Sequence, residues 1–255
     1  YSLLEPRKKK STAVNILGFF APLQEDCELY ELLQSVGVRQ IREISRCKDY
    51  DEYQGMAEAN FNLVLNPEAR FAARDFEERL QIPSIELRRL YQIEKIHSQY
   101  RALGAALGTE LRDEEMYRET KAAIARFREQ HPSLTFTLGE CMNGDPFELA
   151  VALTQMGYSV SEIYGTVTDE NFVYVQRLSE LAPELRVYSN LEPTMLNYDC
   201  SEAHADETIG KDAGYYRPGC PNLQWNEDVQ PFGYAGLRKL LDGLSRVLSE
   251  KERAV

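Results

Sequence analysis

The feature that most restricts how this chain can fold is an alternation repeated three times between Ala13 and Leu87. AVNILG is followed by EDCELYELLQSVG, VRQIREIS by YDEYQGMAEAN, and NFNLVL by PEARFAARDFEERLQ, before a last short run, PSIEL. Apolar runs of four to eight residues suit strands buried on both faces, and the longer amphipathic runs suit helices. Strand and helix in strict succession predict an α/β fold: a doubly wound parallel sheet covered by helices on both faces. In such sheets ligands bind beyond the carboxyl ends of the strands. The loops after Gly18, after Ser45 and after Leu65 are therefore the first places to look for chemistry.

The same pattern returns after a change of texture. Glu94 to Leu107 and Asp113 to Gln130 read as two connecting helices. SLTFTLG is then a strand and GECMNGD a polar loop. PFELAVALTQMG is a helix with Pro146 in its first turn and Gly157 at its left-handed end. YSVSEIYG is a second strand, followed by a helix from Thr168 or Asp169 through TDENFVYVQRLSELAP. LRVYSN is a third strand, and a short element ends at Ile209–Gly210. PFGYAGLRKLLDGLSRVL closes the chain as an amphipathic helix. The expected organisation is a linker over 1–12, a first Rossmann-like domain over 13–108, a connecting helix over 109–132 and a second Rossmann-like domain over 133–255. Residues 1–12, with the basic knot Arg7–Lys10, read as a solvated tether.

Composition narrows the partners. A net charge of −12 opposes binding to nucleic acid or to an anionic membrane. No apolar run reaches the length of a membrane span. YSLLEPRKKKST has no apolar core of a signal peptide, which points to the cytoplasm, and the missing initiating Met points to a fragment or a processed chain. Five cysteines, Cys27, Cys47, Cys141, Cys200 and Cys220, form no C-x-x-C pair, and their odd number speaks for a reducing setting. His97, His131 and His204 show no metal-ligand spacing.

The candidate site residues lie in the strand-end loops. Phe19, in GFFAPLQ, offers apolar surface where a phosphate loop would sit, but G-x-G-x-x-G is absent. Asn66 opens a helix in LNPEAR, where capping that helix outweighs a ligand role. Arg70 faces either an anionic ligand or solvent. Cys141 and Asn143 lie in GECMNGD, where a nearby helix N-terminus could lower a thiol pKa and make Cys141 a metal ligand. Trp225 lies in the loop before the closing helix and offers aromatic surface. Lys211 in IGKDAG lacks the upstream glycine of a phosphate loop and is followed by Asp212 instead of Ser or Thr, which excludes a nucleoside triphosphate site. The residues identify no catalytic group.

Taken together, VNILG, LLQSVGV, IREIS, NFNLVLNPEARFAARDFEERLQIPSIEL and ETIGKDAGYY…WNEDVQPFGYAGLRKLLDGL resemble the nitrogenase component 1 type oxidoreductase superfamily. The resemblance covers the second and third of three Rossmann-like domains. It implies a homologous or identical partner subunit and electrons delivered by an ATP-hydrolysing iron–sulfur protein. An iron–sulfur or metal cluster is then expected only in the full complex, and the cofactor itself is unknown. The resemblance also implies that Asn66 stands where nitrogenase has a cluster-ligating cysteine. The loop LQWNEDVQPFG likewise lacks the cofactor's histidine ligand. Both departures argue against dinitrogen reduction. They leave three readings open: a nitrogenase-like reductase of a small molecule or tetrapyrrole, a scaffold for cluster or tetrapyrrole assembly, and a two-lobed small-molecule binding protein.

Overall fold

The computed structural model describes residues 1–200 and 203–254. They form two compact units. One comprises Tyr1–Arg89, His97–Glu115 and Asp228–Gly233, and the other Leu90–Ile96, Met116–Glu227 and Tyr234–Val255.

The first unit is built on strands β1 (Ala13–Leu17), β2 (Gln40–Glu43), β3 (Phe61–Val64) and β4 (Ser84–Glu86). They pair in the order β2-β1-β3-β4, every neighbour parallel. All five residues of β1 and all four of β3 are buried, as a parallel sheet covered on both faces requires. Asn15, inside β1, meets that demand by donating its amide to Met56 O and to Asn62 Oδ1, both at 2.9 Å. Helices α1 (Glu28–Ser35), α2 (Tyr50–Gly55) and α3 (Arg70–Leu80) follow the first three strands. α3 buries Ala73, Phe76 and Leu80, a three-then-four spacing that lays one face on the sheet. Burying one such side chain contributes about 1.5–3 kcal/mol.

The amino-terminal segment departs from the expected tether. Leu4 joins the core with Leu17, Val64 and Phe76, and the Tyr1 ring meets Phe76 edge-on at 5.0 Å. Gln54 Nε2 donates to Leu3 O at 2.7 Å, and the Arg79 guanidinium donates to the carbonyls of Tyr1 and Leu4. A buried leucine and bonded carbonyls outweigh the basic run that suggested a solvated segment.

Two helices occupy the expected connecting stretch, α4 (Ile93–Ala106) and α5 (Glu114–Gln130). The second unit carries β5 (Thr135–Gly139), β6 (Ser159–Tyr164), β7 (Arg186–Tyr188), β8 (Glu207–Ile209) and β9 (Asn222–Leu223), again all parallel, in the order β7-β6-β5-β8-β9. Its helices are α6 (Pro146–Gln155), α7 (Phe172–Leu181), α8 (Lys211–Tyr216) and α9 (Gly233–Ala254). Pro146 through Leu153 are all buried, so α6 is a core helix. Asp145 caps it, accepting from the N–H groups of Phe147 (2.9 Å) and Glu148 (3.0 Å), and Gly157 ends it at φ 92°.

Two details of this unit differ from expectation. α7 starts at Phe172, later than Thr168 or Asp169, because Asn171 accepts from Thr168 N (2.8 Å) and donates to Thr166 O (3.1 Å), closing a turn instead. The short α8 and β9 have no clear periodicity and emerge only from pairing and packing. No helix among the described residues is long and apolar enough to cross a membrane.

Candidate functional site

Each sheet has one place where consecutive strands depart in opposite directions, opening a crevice at the carboxyl ends. In the first unit this switch lies between β1 and β3, where the loops through Gly18–Gln24 and Asn66–Arg70 emerge. The two loops touch through backbone. Gly18 has φ 133°, and a Cβ there would lie 2.7 Å from Asn66 N. Asn66 accepts from Glu68 N at 3.1 Å and so caps the turn that leads into α3. Arg70 holds Glu86 with two bonds, Nε to Oε2 at 2.7 Å and Nη2 to Oε1 at 2.6 Å. The Arg89 guanidinium lies 4.5 Å from the centroid of the Phe19 ring. Its Nη2 donates to Gln230 Oε1 at 2.7 Å, and Gln230 O accepts from Gln24 N at 3.1 Å.

At this crest Phe20 was legible beside Phe19 as apolar surface, while Phe71 and Gln24 were not legible as site features. Phe20 and Phe71 are 96% and 84% exposed. Gln24 is buried, with neither end of its side-chain amide hydrogen-bonded among the described residues. The cue for Gln24 was only a polar residue directly before a helix.

In the second unit the switch lies between β5 and β8. Asp212, at the start of α8, reaches back to the loop after β5 and accepts from Glu140 N (2.9 Å) and Cys141 N (3.1 Å). A Cβ on Gly139 would lie 1.9 Å from Asp212 Oδ1, so glycine is what lets the carboxylate in. Asn190, after β7, donates to Asp212 Oδ2 (2.8 Å) and Glu140 Oε1 (2.9 Å). Glu140 Oε2 accepts from Thr166 N, after β6, at 2.7 Å. One polar residue follows each of four strands, and the four meet in a single knot. That recurrence was visible in the sequence as G-E, G-T, S-N and G-K-D just past each strand. The backbone donors that an anionic ligand would use are taken by Asp212.

Of the residues singled out in this unit, Cys141 is exposed, and burial of its sulfur together with Asp212 and Glu140 pushes the thiol up. The expected depression does not occur. α6 begins five residues later with its first N–H groups already capped by Asp145, and the charges of Asp212 and Glu140 outweigh that of Lys211. Asn143 and Trp225 are brought together. Asn143 N donates to Trp225 O at 2.6 Å, Trp225 Nε1 donates to Tyr91 Oη at 2.7 Å, and Tyr91 Oη donates to Asn143 O. Trp225 is 2% exposed and holds φ 44°, a left-handed conformation that only its surroundings can impose.

Two buried carboxylates underlie this region. Glu148 accepts from Tyr91 N (2.9 Å), Gln92 N (3.1 Å) and Gln92 Nε2 (3.1 Å), and burial pushes its carboxyl up to about 7. Glu162 pairs with Arg217 and accepts from Tyr164 Oη (2.8 Å) and Tyr198 Oη (2.7 Å). Burial would raise the Glu162 carboxyl, but these donors outweigh it and hold it below the usual range. The ring of Tyr164 packs against those of Tyr188, Tyr198 and Tyr216.

Among the described residues no three His, Cys, Asp or Glu side chains gather as a metal needs, Asn66 is spent on capping, and burial pushes the Cys141 thiol up, away from the thiolate a metal takes. The side chains at these two crests do not fit a cluster ligated by this chain.

The profile of the family described as nitrogenase component 1 type oxidoreductase matches residues 2–249. Among solved structures, one described as nitrogenase Cp1 at pH 6.5 superposes with a TM-score of 0.74 at 16% identity, over 98% of this chain and 62% of that one. A second, nitrogenase Cp1 at pH 5, superposes at 0.63 with 15% identity, over 95% and 57%. No curated protein matches. The chain thus spans about three-fifths of the length of those structures. With nearly its whole length accounted for by the family profile, this chain belongs to the nitrogenase component 1 type oxidoreductase family.

Proposed function

We propose that the chain forms part of a subunit in a nitrogenase-like two-component reductase. Electrons come from an ATP-hydrolysing iron–sulfur partner, and the reduced substrate is a small molecule or a tetrapyrrole-like compound, not dinitrogen. The observation that carries this reading is the pair of all-parallel sheets with loop crests at Gly18–Gln24, Asn66–Arg70 and Gly139–Asp145 in a chain of this family. The residues proposed to serve substrate or cofactor binding, each at the crest of its own unit, are Phe19, Asn66 and Arg70 in the first and Cys141, Asn143 and Trp225 in the second. Phe19, with Phe20 beside it, supplies apolar area, and Arg70 supplies charge once Glu86 releases it. Asn143 and Trp225 act by holding the shape of their loops, since both are buried.

A second reading, a non-catalytic scaffold for cluster or tetrapyrrole assembly, is favoured by one specific observation. The groups best placed to act are already engaged: Asn66 in a cap, Arg70 with Glu86, and the N–H groups of Glu140 and Cys141 with Asp212. The experiment is turnover. The protein, in its full-length complex, is mixed anaerobically with the iron–sulfur ATPase, dithionite and MgATP. ATP-dependent consumption of reductant above that of the partner alone supports the reductase. Retention of a cofactor without turnover supports the scaffold, and neither signal removes both.

A further inference from the structure

Five tyrosines of the second unit come together from four separate stretches of chain. Tyr164 ends β6, Tyr188 ends β7, Tyr198 follows the turn Pro193–Asn197, and Tyr215 and Tyr216 end α8. Their rings form a connected set. Centroid to centroid, Tyr164 lies 4.7 Å from Tyr216, 5.4 Å from Tyr198 and 6.0 Å from Tyr188. Tyr216 lies 5.3 Å from Tyr215, which is 77% exposed, while Tyr164 is fully buried. Separations of this size are ordinary aromatic packing, so distance alone assigns no role. Two further observations do.

The first is composition. The cluster takes five of the chain's 15 tyrosines, and the core around them is completed by Met195 and Ala213, with no phenylalanine although the chain has 10. Phenylalanine would bury the same rings and need no hydrogen-bond partner. What tyrosine adds is a ring that gives up an electron far more readily, provided that its phenolic proton can leave.

The second is a built-in proton acceptor. Tyr164 Oη donates to Glu162 Oε2 at 2.8 Å, and Tyr198 Oη donates to the same oxygen at 2.7 Å. Both lie within the reach at which a base takes a proton directly. Arg217 pairs with that carboxylate and keeps it ionised, and Arg217 Nε donates to Tyr164 Oη at 3.2 Å. Glu162 and Arg217 are both buried, so the acceptor belongs to the interior and not to solvent. Burial pushes both phenols up, so an ordinary rise in pH does not remove their protons. Loss of an electron does, because a phenol radical cation is a far stronger acid than a carboxylic acid.

We propose that the Tyr164–Tyr198 pair is a site of reversible one-electron oxidation, with Glu162 as its proton acceptor and Tyr216 and Tyr215 as its path to the surface. The oxidant is an oxygen-derived radical that takes one electron at Tyr215. An electron from Tyr216 and then one from Tyr164 refill the vacancy. The O–H bond of Tyr164 breaks as its proton passes to Glu162. The products are the reduced oxidant, a neutral tyrosyl radical and an uncharged Glu162. One electron from a soluble enediol, ascorbate in the test below, returns by the same rings, and the proton goes back to Tyr164. The chain's own residues suffice for this chemistry, so the proposal stands or falls apart from the reductase and scaffold readings.

The test oxidises the whole chain by flash photolysis with a ruthenium tris-bipyridine sensitiser and persulfate, and follows tyrosyl radicals by freeze-quench EPR. A persistent radical is expected beside the short-lived ones of exposed tyrosines such as Tyr50, and ascorbate should remove it. Its rate of formation should not vary with pH, because the acceptor is internal. The double variant Tyr164→Phe/Tyr198→Phe keeps the rings and should lose the persistent radical. Tyr216→Phe should lower its yield without changing the melting temperature. Glu162→Gln should make the rate of formation depend on pH, and if that variant fails to fold the phenylalanine variants still decide. Three results would each overturn the proposal: only short-lived radicals in the unaltered chain, a persistent radical that survives in the double variant, or an unchanged yield in Tyr216→Phe.

Discussion

The two units share an all-parallel sheet with one reversal of strand order, yet they finish their switch points in different ways. In the first unit the crest is closed by backbone: Gly18 against Asn66 N, with phenylalanines left in solvent and Arg70 paired outside with Glu86. In the second it is closed by side chains. Asp212 fills the backbone donors, Asn190 bridges it to Glu140, and the Glu162–Arg217 pair lies buried in the same unit. Topology sets where a crevice can be, but the residues just past each strand decide whether it stays available or is satisfied from within.

The largest effect that should separate the units comes from the buried pair. Arg217→Ala leaves Glu162 charged and buried with only phenols for partners, and should cost about 3–5 kcal/mol by urea unfolding. The double variant Glu162→Gln/Arg217→Met should cost less than Arg217→Ala alone. A cost below about 1 kcal/mol for the single change would mean that the pair is solvated.

The next effect is a pH dependence confined to the second unit. The folded Glu148 carboxyl titrates at about 7 against 4.5 for its ordinary value, so it binds its proton more tightly when folded. Its contribution is fully present below pH 4.5 and is lost as the pH rises to about 7. The loss is on the order of 3 kcal/mol. Glu148→Gln should flatten that part of the stability–pH curve, and identical curves for the two proteins would show that the three N–H donors cancel the cost of burial.

A smaller effect contrasts the glycines. Gly18→Ala and Gly139→Ala should each cost about 1–3 kcal/mol. The second clash is first with the Asp212 side chain and then with Ala213 N at 2.8 Å, so Asp212→Ala should recover only part of the Gly139→Ala loss. Gly18→Ala meets backbone at a positive φ and has no such rescue. Equal behaviour of the two sites under thermal melts would erase the distinction between backbone and side-chain closure.

The smallest effect belongs to the first unit's surface. Arg70→Ala should change stability by no more than about 1 kcal/mol, because its pair with Glu86 is exposed and screened. If Arg70 instead binds an anionic ligand, the same variant should weaken that ligand in the assembled complex without altering the melting temperature.

The sequence by itself determined the elements and the class of fold. AVNIL and FNLV carry apolar residues on both faces at consecutive positions, broken only by Asn15 and Asn62, a pattern that suits a strand covered on both faces. The runs after them carry one apolar stripe, as in Ala73, Phe76 and Leu80 of α3. Alternation of the two kinds leaves little but a parallel sheet, because parallel strands need a crossover and a helix supplies it. Pro146, Gly157 and Asn66 also announced their local roles, since capping and positive φ depend on near neighbours.

The tertiary structure decided which strands became neighbours, and with that the contents of each crest. That Asp212 would reach Glu140 and Cys141, that Asn190 would bridge them, and that Trp225 would be locked to Asn143 through Tyr91 are contacts between residues 22 to 134 positions apart. No local periodicity encodes such contacts. For the same reason the upward shift of the Cys141 thiol could not be read locally: it follows first from burial of the sulfur and then from Asp212, 71 residues away in sequence.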